Sequence, residues 1–274
     1  MVDVNQGYEA FCDYLEQHSG ICLGASKQYL VSSRLRKILQ EAAINNLTEL
    51  VSAMSKPGGQ SLRSAVIDAM TTNETLWFRD IHPFRILEEQ LLPEFFQQKT
   101  SRPLRIWSAA CSTGQEPYSM SMMIEEYKQK NRVFSAGEKI IATDISATAL
   151  DAAKSAEYAM LAIGRGLDPE RLKRHFEETP AGRWKVKAPI AQRVEFRAIN
   201  LQDSYALLGK FDIVFCRNVL IYFTADLKRD ILTRIHATLN PGGYLMVGAS
   251  EAVNGLGDLY EMVHCRPGII YRKR

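Results

Sequence analysis

The sequence predicts an α/β protein in three parts. These are an all-helical N-terminal region with its linker over residues 1–85, a mostly parallel sheet covered by helices over residues 86–274, and a small β-subdomain inserted at about 164–193. Three observations predict it. Up to residue 85, apolar residues recur only at helical spacing. From residue 104 onward, short apolar runs alternate with helical stretches, as parallel strands joined by crossover helices require. The last two apolar runs are separated only by Arg266-Pro267-Gly268, too short for a crossover, so the chain ends in an antiparallel hairpin.

Tyr8, Phe11 and Leu15 mark the first helix, and Gly20 is placed to end it. A second helix covers about 26–43, with Val31, Leu35, Ile38 and Leu39 on one stripe. Lys27, Arg34, Arg36 and Lys37 fall in a window, 26–40, that holds no acidic residue. That reads either as a solvated face or as a docking face for an acidic helical partner. Asn46-Leu47-Thr48-Glu49 has the form of a capping box and starts a third helix. Lys56-Pro57-Gly58-Gly59-Gln60-Ser61 is a loop, and Leu62, Val66, Ala69 and Met70 place a fourth helix. Residues 71–80 are polar, then aromatic, then end in Arg79-Asp80. They read as a linker pinned by Trp77 and Phe78, or as the wall of a pocket. Helical spacing returns over 84–98, with an interruption expected at Pro93.

Strands are expected at 104–110, 139–144, 194–199, 211–216, 243–249, 261–266 and 269–273, and helices at 117–130, 146–154 and 224–239. Asn240-Pro241-Gly242-Gly243 reads as a helix stop directly before a strand. In the insertion, Phe176-Glu177 and Trp184-Lys185-Val186 can pair around the turn Thr179-Pro180-Ala181-Gly182. Residues 164–197 hold nine Lys and Arg against five Asp and Glu, so the insertion is either a stabilising decoration or a partner surface.

Composition narrows the function. A chain 46% hydrophobic and 24% charged, without low-complexity tracts, folds as a globular protein. The net charge of +3 gives no footprint for nucleic acid. The N-terminus lacks the basic and apolar regions of a secretory signal, and no apolar run approaches the ~18 residues that span a membrane, so a cytoplasmic protein without membrane insertion is expected. Five scattered cysteines without a C-x-x-C argue for free thiols, and no metal site is expected.

The chemistry gathers at three strand ends. Ile106-Trp107-Ser108-Ala109-Ala110-Cys111-Ser112-Thr113-Gly114-Gln115-Glu116-Pro117 runs from a buried strand through a small-residue turn into a helix, which reads either as an ordinary βα turn or as a nucleotide-sized cradle. Asp144 ends the next strand, where a carboxylate can accept from both ribose hydroxyls; Ser146 is the better cap for the helix that follows. Arg217, Asn218 and Tyr222 follow the strand at 211–216. A nicotinamide fingerprint wants three spaced glycines and an acid about 20 residues on. Here there is one glycine, Asp144 lies 30 residues after Gly114, and the chain ends in a hairpin. These features resemble the S-adenosylmethionine-dependent methyltransferase version of the Rossmann-like fold. Cys216, with no nearby histidine in sequence, reads as an inert thiol.

Four motifs together resemble one family. They are Thr72-Asn73-Glu74-Thr75-Leu76-Trp77-Phe78-Arg79-Asp80, the cradle from Trp107 through Ser119, Ala142-Thr143-Asp144-Ile145-Ser146, and Phe215-Cys216-Arg217-Asn218-Val219-Leu220-Ile221-Tyr222-Phe223. In order and over the full length, they resemble the chemotaxis receptor methyltransferases, the CheR family. The resemblance implies transfer of methyl groups from S-adenosylmethionine to glutamates on the cytoplasmic helices of bacterial chemoreceptors, for sensory adaptation, with S-adenosylhomocysteine as product. It implies cofactor contacts from Asn73, Thr75, Arg79, Glu116, Asp144, Asn200, Leu201, Arg217 and Asn218, with Glu116 on the methionine ammonium and Asn200-Leu201 at the adenine. Arg79 and Tyr222 are expected to orient the substrate carboxylate and carry catalysis. Arg34, Arg36 and Lys37 are expected to dock the receptor.

One departure matters. Some members have a longer, glycine-rich loop in the inserted sheet that grips a receptor's C-terminal pentapeptide. Here Glu178-Thr179-Pro180-Ala181-Gly182-Arg183 is short with a single glycine, so a tether-independent enzyme is expected. The basic insertion and the helical domain stay open as surfaces for a regulatory protein. Two other readings are a non-catalytic S-adenosylmethionine-binding regulator, which loss of Arg79, Asp144 or Tyr222 would favour, and a small-molecule carboxyl methyltransferase, against which the helical domain and basic insertion argue.

Overall fold

A computed structural model describes residues 7–97, 102–133 and 136–274. The helical periodicity of the first part closes into α1 (Tyr8–Ser19), α2 (Gln28–Glu41), α3 (Leu47–Ser55) and α4 (Gln60–Met70). α1 ends at Gly20, whose φ of 75° lets its N–H return to the Glu16 carbonyl. A 3-10 turn, Ala25–Lys27, precedes α2, which is therefore shorter than the expected 26–43. Asn46 caps α3 by accepting the Glu49 N–H at 2.9 Å, but the return bond to Glu49 comes from the Asn45 N–H, one residue earlier than a capping box places it. Phe11, Leu15, Val31, Leu35, Leu39, Leu47 and Leu50 are fully buried in one core, while Ile38 sits at its margin.

α5 (His82–Ile86), a π-helical turn (Leu87–Leu91) and α6 (Leu92–Gln97) follow each other without a break, so Pro93 does not interrupt the helix as expected. The Leu92 N–H reaches back five residues to the Leu87 carbonyl. This widened turn relieves the carbonyl four residues back that the proline ring would otherwise meet. The expected end at residue 98 lies outside the described residues.

The alternating part contains β1 (Leu104–Ala109), α7 (Gln115–Asn131), β2 (Glu138–Asp144), α8 (Ala147–Ser155), β3 (Glu157–Tyr158), α9 (Met160–Ile163), α10 (Pro169–His175), β4 (Phe176–Glu178), β5 (Trp184–Val186), α11 (Ala188–Ala191), β6 (Val194–Ala198), β7 (Phe211–Cys216), α12 (Ala225–Thr238), β8 (Leu239–Val247), β9 (Tyr260–Cys265) and β10 (Gly268–Lys273). Seven strands form one sheet in the order β6-β2-β1-β7-β8-β10-β9. β6, β2, β1, β7 and β8 are parallel, and β10 slots in antiparallel to both β8 and β9. This is the Rossmann-like arrangement with a closing hairpin, and its strand order reverses between β1 and β7. Asn240-Pro241-Gly242-Gly243 lies inside β8 and does not precede it. α12 has already ended at Thr238, and the four residues form a bulge where the β7–β8 register shifts, with Gly242 at φ 72°.

The insertion forms a second sheet, β3-β5-β4. Its third strand, β3, is two residues long and carries no readable periodicity. Trp77 and Phe78 pin this insertion more than they pin the helical domain. The Trp77 indole N–H donates to the Ala162 carbonyl at 3.1 Å, and its ring meets Tyr158 and Phe176 edge-on. The Arg171 guanidinium lies 4.2 Å over the Phe78 ring. Arg171 and His175 both bond to Glu126 of α7. Burial pushes the Glu126 carboxyl upward, but those two hydrogen bonds outweigh it and hold the pKa at about 2.

Candidate active site

Where the strand order reverses, the carboxyl ends of β1, β2 and β7 open into a cleft, the place where open α/β sheets hold their ligands. The helical domain supplies one wall through Ser19, Ile21, Met70, Thr71 and Thr72. Asn73, Thr75, Arg79, Glu116, Asp144, Asn200, Leu201, Arg217, Asn218 and Tyr222 all open onto this one cleft. The chain distances between them run to well over a hundred residues, so the fold alone brings them together.

The backbone around the cleft is strained. Left-handed φ values occur at Ala110, Ser112 and Asn218 on its lining and at Phe78, Asp80 and Ile81 around Arg79. Each costs about 1 kcal/mol or more and persists only where the surroundings impose it. At Ser112 (φ 50°) the result is visible. Its N–H is turned onto Asp144 Oδ2 at 2.7 Å, while the Ser146 N–H meets Oδ1 at 2.9 Å. Asp144 is buried, and burial raises its pKa against the pull of these N–H groups. Each carboxylate oxygen keeps a further acceptor site toward the cleft.

Gly114 does not face the ligand. With φ 93°, it starts α7 where a Cβ would lie 3.0 Å from both Ala153 Cβ and the Tyr158 hydroxyl. Its role is helix packing, and the close backbone approach to the cleft falls to Ala110–Ser112. Glu116, two residues after Gly114, accepts from Ser108 Oγ at 2.8 Å and from Arg217 Nη1 at 2.8 Å.

Arg217 is 1% exposed and also bonds to Asp80 Oδ2 at 2.7 Å and to the Arg79 carbonyl at 3.0 Å. Its Nε is buried without an acceptor among the described residues. Glu116 lines the cleft with acceptor capacity left beyond Ser108 and Arg217, which fits a ligand with a charged amino-acid end, as S-adenosylmethionine has. Arg79 donates to the Glu74 carbonyl at 3.1 Å. No described residue bonds the Tyr222 hydroxyl, whose backbone carbonyl instead accepts from the Cys22 N–H at 2.9 Å. Burial raises the Cys111 and Cys216 thiols well above their ordinary pKa, so both stay neutral.

Two expected residues are placed differently from their expected roles. The Asn200 amide is turned away to the end of α1, where it donates to the His18 carbonyl at 2.8 Å beside a Gln202 bond to Glu16. It lines the cleft while binding the helical domain. Arg34 is not a free surface cation. It donates to the Met70 and Thr71 carbonyls at 2.7 and 3.0 Å and to Thr72 Oγ1 at 3.0 Å, tying α2 to the linker. Arg36 and Lys37 are exposed, and Lys37 has only a loose, solvated pair with Glu41. Sequence reasoning missed Asp80 and Asp68. Asp68 of α4 accepts from Ser146 Oγ and from the Thr148 N–H at 3.3 Å, joining the helical domain to the start of α8. A carboxylate within the 72–80 motif was a signal for Asp80; Asp68 offered none.

Comparison with known proteins agrees with this site. Residues 6–71 match the all-alpha domain of CheR methyltransferases, and residues 73–269 match the CheR methyltransferase SAM-binding domain. Chemotaxis protein methyltransferase 1 of Pseudomonas aeruginosa is 58% identical over 275 residues, covering all of both chains. The Cher2 methyltransferase of Pseudomonas putida is 56% identical over 98% of each chain. Chemotaxis protein methyltransferase 1 of Vibrio cholerae is 53% identical over 98% of this chain and 97% of its own. No helix among the described residues is long and apolar enough to cross a membrane. With both family domains present in order and relatives this similar over the full chain, this chain belongs to the CheR methyltransferase family and is an S-adenosylmethionine-dependent enzyme.

Proposed function

We propose that the protein methylates glutamate side chains on the cytoplasmic helices of chemoreceptors, forming methyl esters. The observation that carries this reading is the convergence of the ten expected cofactor-contact and catalytic residues on one cleft. Bound there, S-adenosylmethionine supplies an electrophilic methyl group. Asp144 holds the ribose hydroxyls with the acceptor capacity left after Ser112 and Ser146. Glu116 meets the ammonium, and Arg217 and Asn218 frame the same end. Asn73 and Thr75 close the cleft from the linker, and Leu201 offers the adenine an apolar face beside Asn200. Arg79 and Tyr222 orient the incoming carboxylate.

A glutamate with a pKa near ~4.3 is already ionised at neutral pH and needs no general base. Catalysis then rests on alignment and on excluding water, which would stabilise the separated ions more than the transition state. Tyr222→Phe is expected to lower kcat roughly tenfold, the size of one hydrogen bond to a charged group, with cofactor affinity unchanged by calorimetry. A parent-like kcat removes Tyr222 from the reaction.

Docking falls to Arg36 and Lys37, the exposed cations of α2. Arg36→Glu with Lys37→Glu is expected to raise KM for receptor severalfold at low salt and less at high salt, because the attraction is screened. Equal KM at low salt places docking elsewhere. The tight turn of the insertion, closed by the Thr179 N–H on the Arg183 carbonyl at 2.7 Å, supports independence from a pentapeptide tether. The deciding experiment is incubation with methyl-labelled cofactor and receptor-bearing membranes. Base-labile label released as methanol, at the same rate with receptors lacking their last five residues, is expected. Base-stable label overturns the ester.

A further inference from the structure

We infer that Glu251 is a positioning residue for methyl transfer, its carboxylate fixing the turn that presents Asn218 and Tyr222 to the cleft. The inference rests on the reading above and goes beyond it, because Glu251 touches neither cofactor nor substrate residues through their side chains. Its Oε2 accepts the Asn218 N–H at 2.8 Å and the Gly248 N–H at 2.6 Å, and Oε1 accepts the Ile221 N–H at 3.3 Å. One carboxylate thereby ties the chain leaving β7 to the chain leaving β8, two neighbouring parallel strands whose ends would otherwise be free to part.

What it holds is a left-handed residue. Asn218 sits at φ 58°, a region that asparagine enters more readily than other side-chain-bearing residues, and its N–H is thereby aimed at the carboxylate. On one side of Asn218, Arg217 is anchored by Asp80 and Glu116. On the other side, Tyr222 is anchored through its carbonyl to Cys22 of the helical domain. Between these anchors, Glu251 is the side chain that binds the backbone of the turn.

The requirement is for a carboxylate. Three N–H donors converge on two oxygens, and an amide would turn an NH2 toward one of them. Gly248 makes the approach possible, since a Cβ there would lie 2.6 Å from Glu251 Oε2 and 2.9 Å from the Asn218 N. Gly248 and Glu251 are thus two parts of one device, written in sequence as Gly248-Ala249-Ser250-Glu251.

The test uses the full chain with labelled cofactor and receptor-bearing membranes. Glu251→Gln is expected to lower kcat roughly tenfold and, because Asn218 moves with the turn, to weaken S-adenosylhomocysteine binding severalfold by calorimetry. A merely structural role would not give the coupling to Tyr222 that follows. Tyr222→Phe should cost clearly less in the Glu251→Gln background than in the parent, because a misplaced hydroxyl has less to lose. If Glu251→Gln gives no cooperative melt, Gly248→Ala, which presses on the carboxylate from the opposite side, is expected to give the same fall in kcat. A parent-like kcat in either folded variant, or full additivity with Tyr222→Phe, overturns the inference. A parent that leaves receptors unlabelled overturns the functional reading, and this inference with it. A parent that labels receptors beside an unaffected variant overturns this inference alone.

Discussion

Asp144→Ala is expected to abolish S-adenosylhomocysteine binding in titration calorimetry. Two hydrogen bonds from ribose hydroxyls to a charged acceptor contribute about 1.5–3 kcal/mol each, so their loss lowers affinity at least about a hundredfold. The variant also leaves the Ser112 and Ser146 N–H groups without their acceptor, which loosens the turn that lines the cleft. Acid should imitate the mutation. Burial raises the Asp144 pKa, so on acidification it takes up a proton at higher pH than an exposed aspartate would. Only the ionised form accepts from both hydroxyls. Affinity is therefore full above that raised pKa and falls as pH drops through it, earlier than for an ordinary carboxylate. Parent-like heats for Asp144→Ala remove the ribose assignment.

Arg217→Met is expected to lower the melting temperature by roughly 5 °C, from about 3 kcal/mol lost. The guanidinium is 1% exposed, and it neutralises Glu116 at 12% and Asp80 at 33% side-chain exposure. Removing one partner of a buried pair strands the other, and Glu116 is the less solvated of the two carboxylates left behind. Asp80 is wet enough to contribute little, which keeps the expected loss at the low end of the usual range. Pairing Arg217→Met with Glu116→Gln should recover part of the loss, since the stranded charge is gone. A melting temperature within a degree or two of the parent would mean that the network stabilises nothing.

What was legible in the sequence is what neighbouring residues spell out. Strand runs such as Ile140-Ile141-Ala142, the Asn46 and Ser146 caps, the hairpin turn at Pro267 and the cleft motifs are each contained within a few residues. The resemblance to a family added their joint meaning. The rest depends on partners far apart in the chain. Arg217 with Asp80, Asn200 with His18, and Asn218 with Glu251 are non-local, and no periodicity announces them. Arg34 shows the same gap from the other side. Its place in an acid-free window suggested a free cation, because nothing local reveals that the Met70 and Thr71 carbonyls come to it. The bulge at Pro241-Gly242 was misplaced because a helix stop and a strand bulge use the same residues.

The cleft draws its walls from two domains, and thermodynamics makes that a two-way coupling. A ligand held between the walls stabilises their seating by mass action, about 2.7 kcal/mol at a hundredfold excess over its Kd. By the same linkage, whatever loosens α4 from Ser146, or α1 from Asn200, weakens cofactor binding by an equal factor. The affinity of this enzyme for its methyl donor is thus a gauge of how firmly its helical domain is seated.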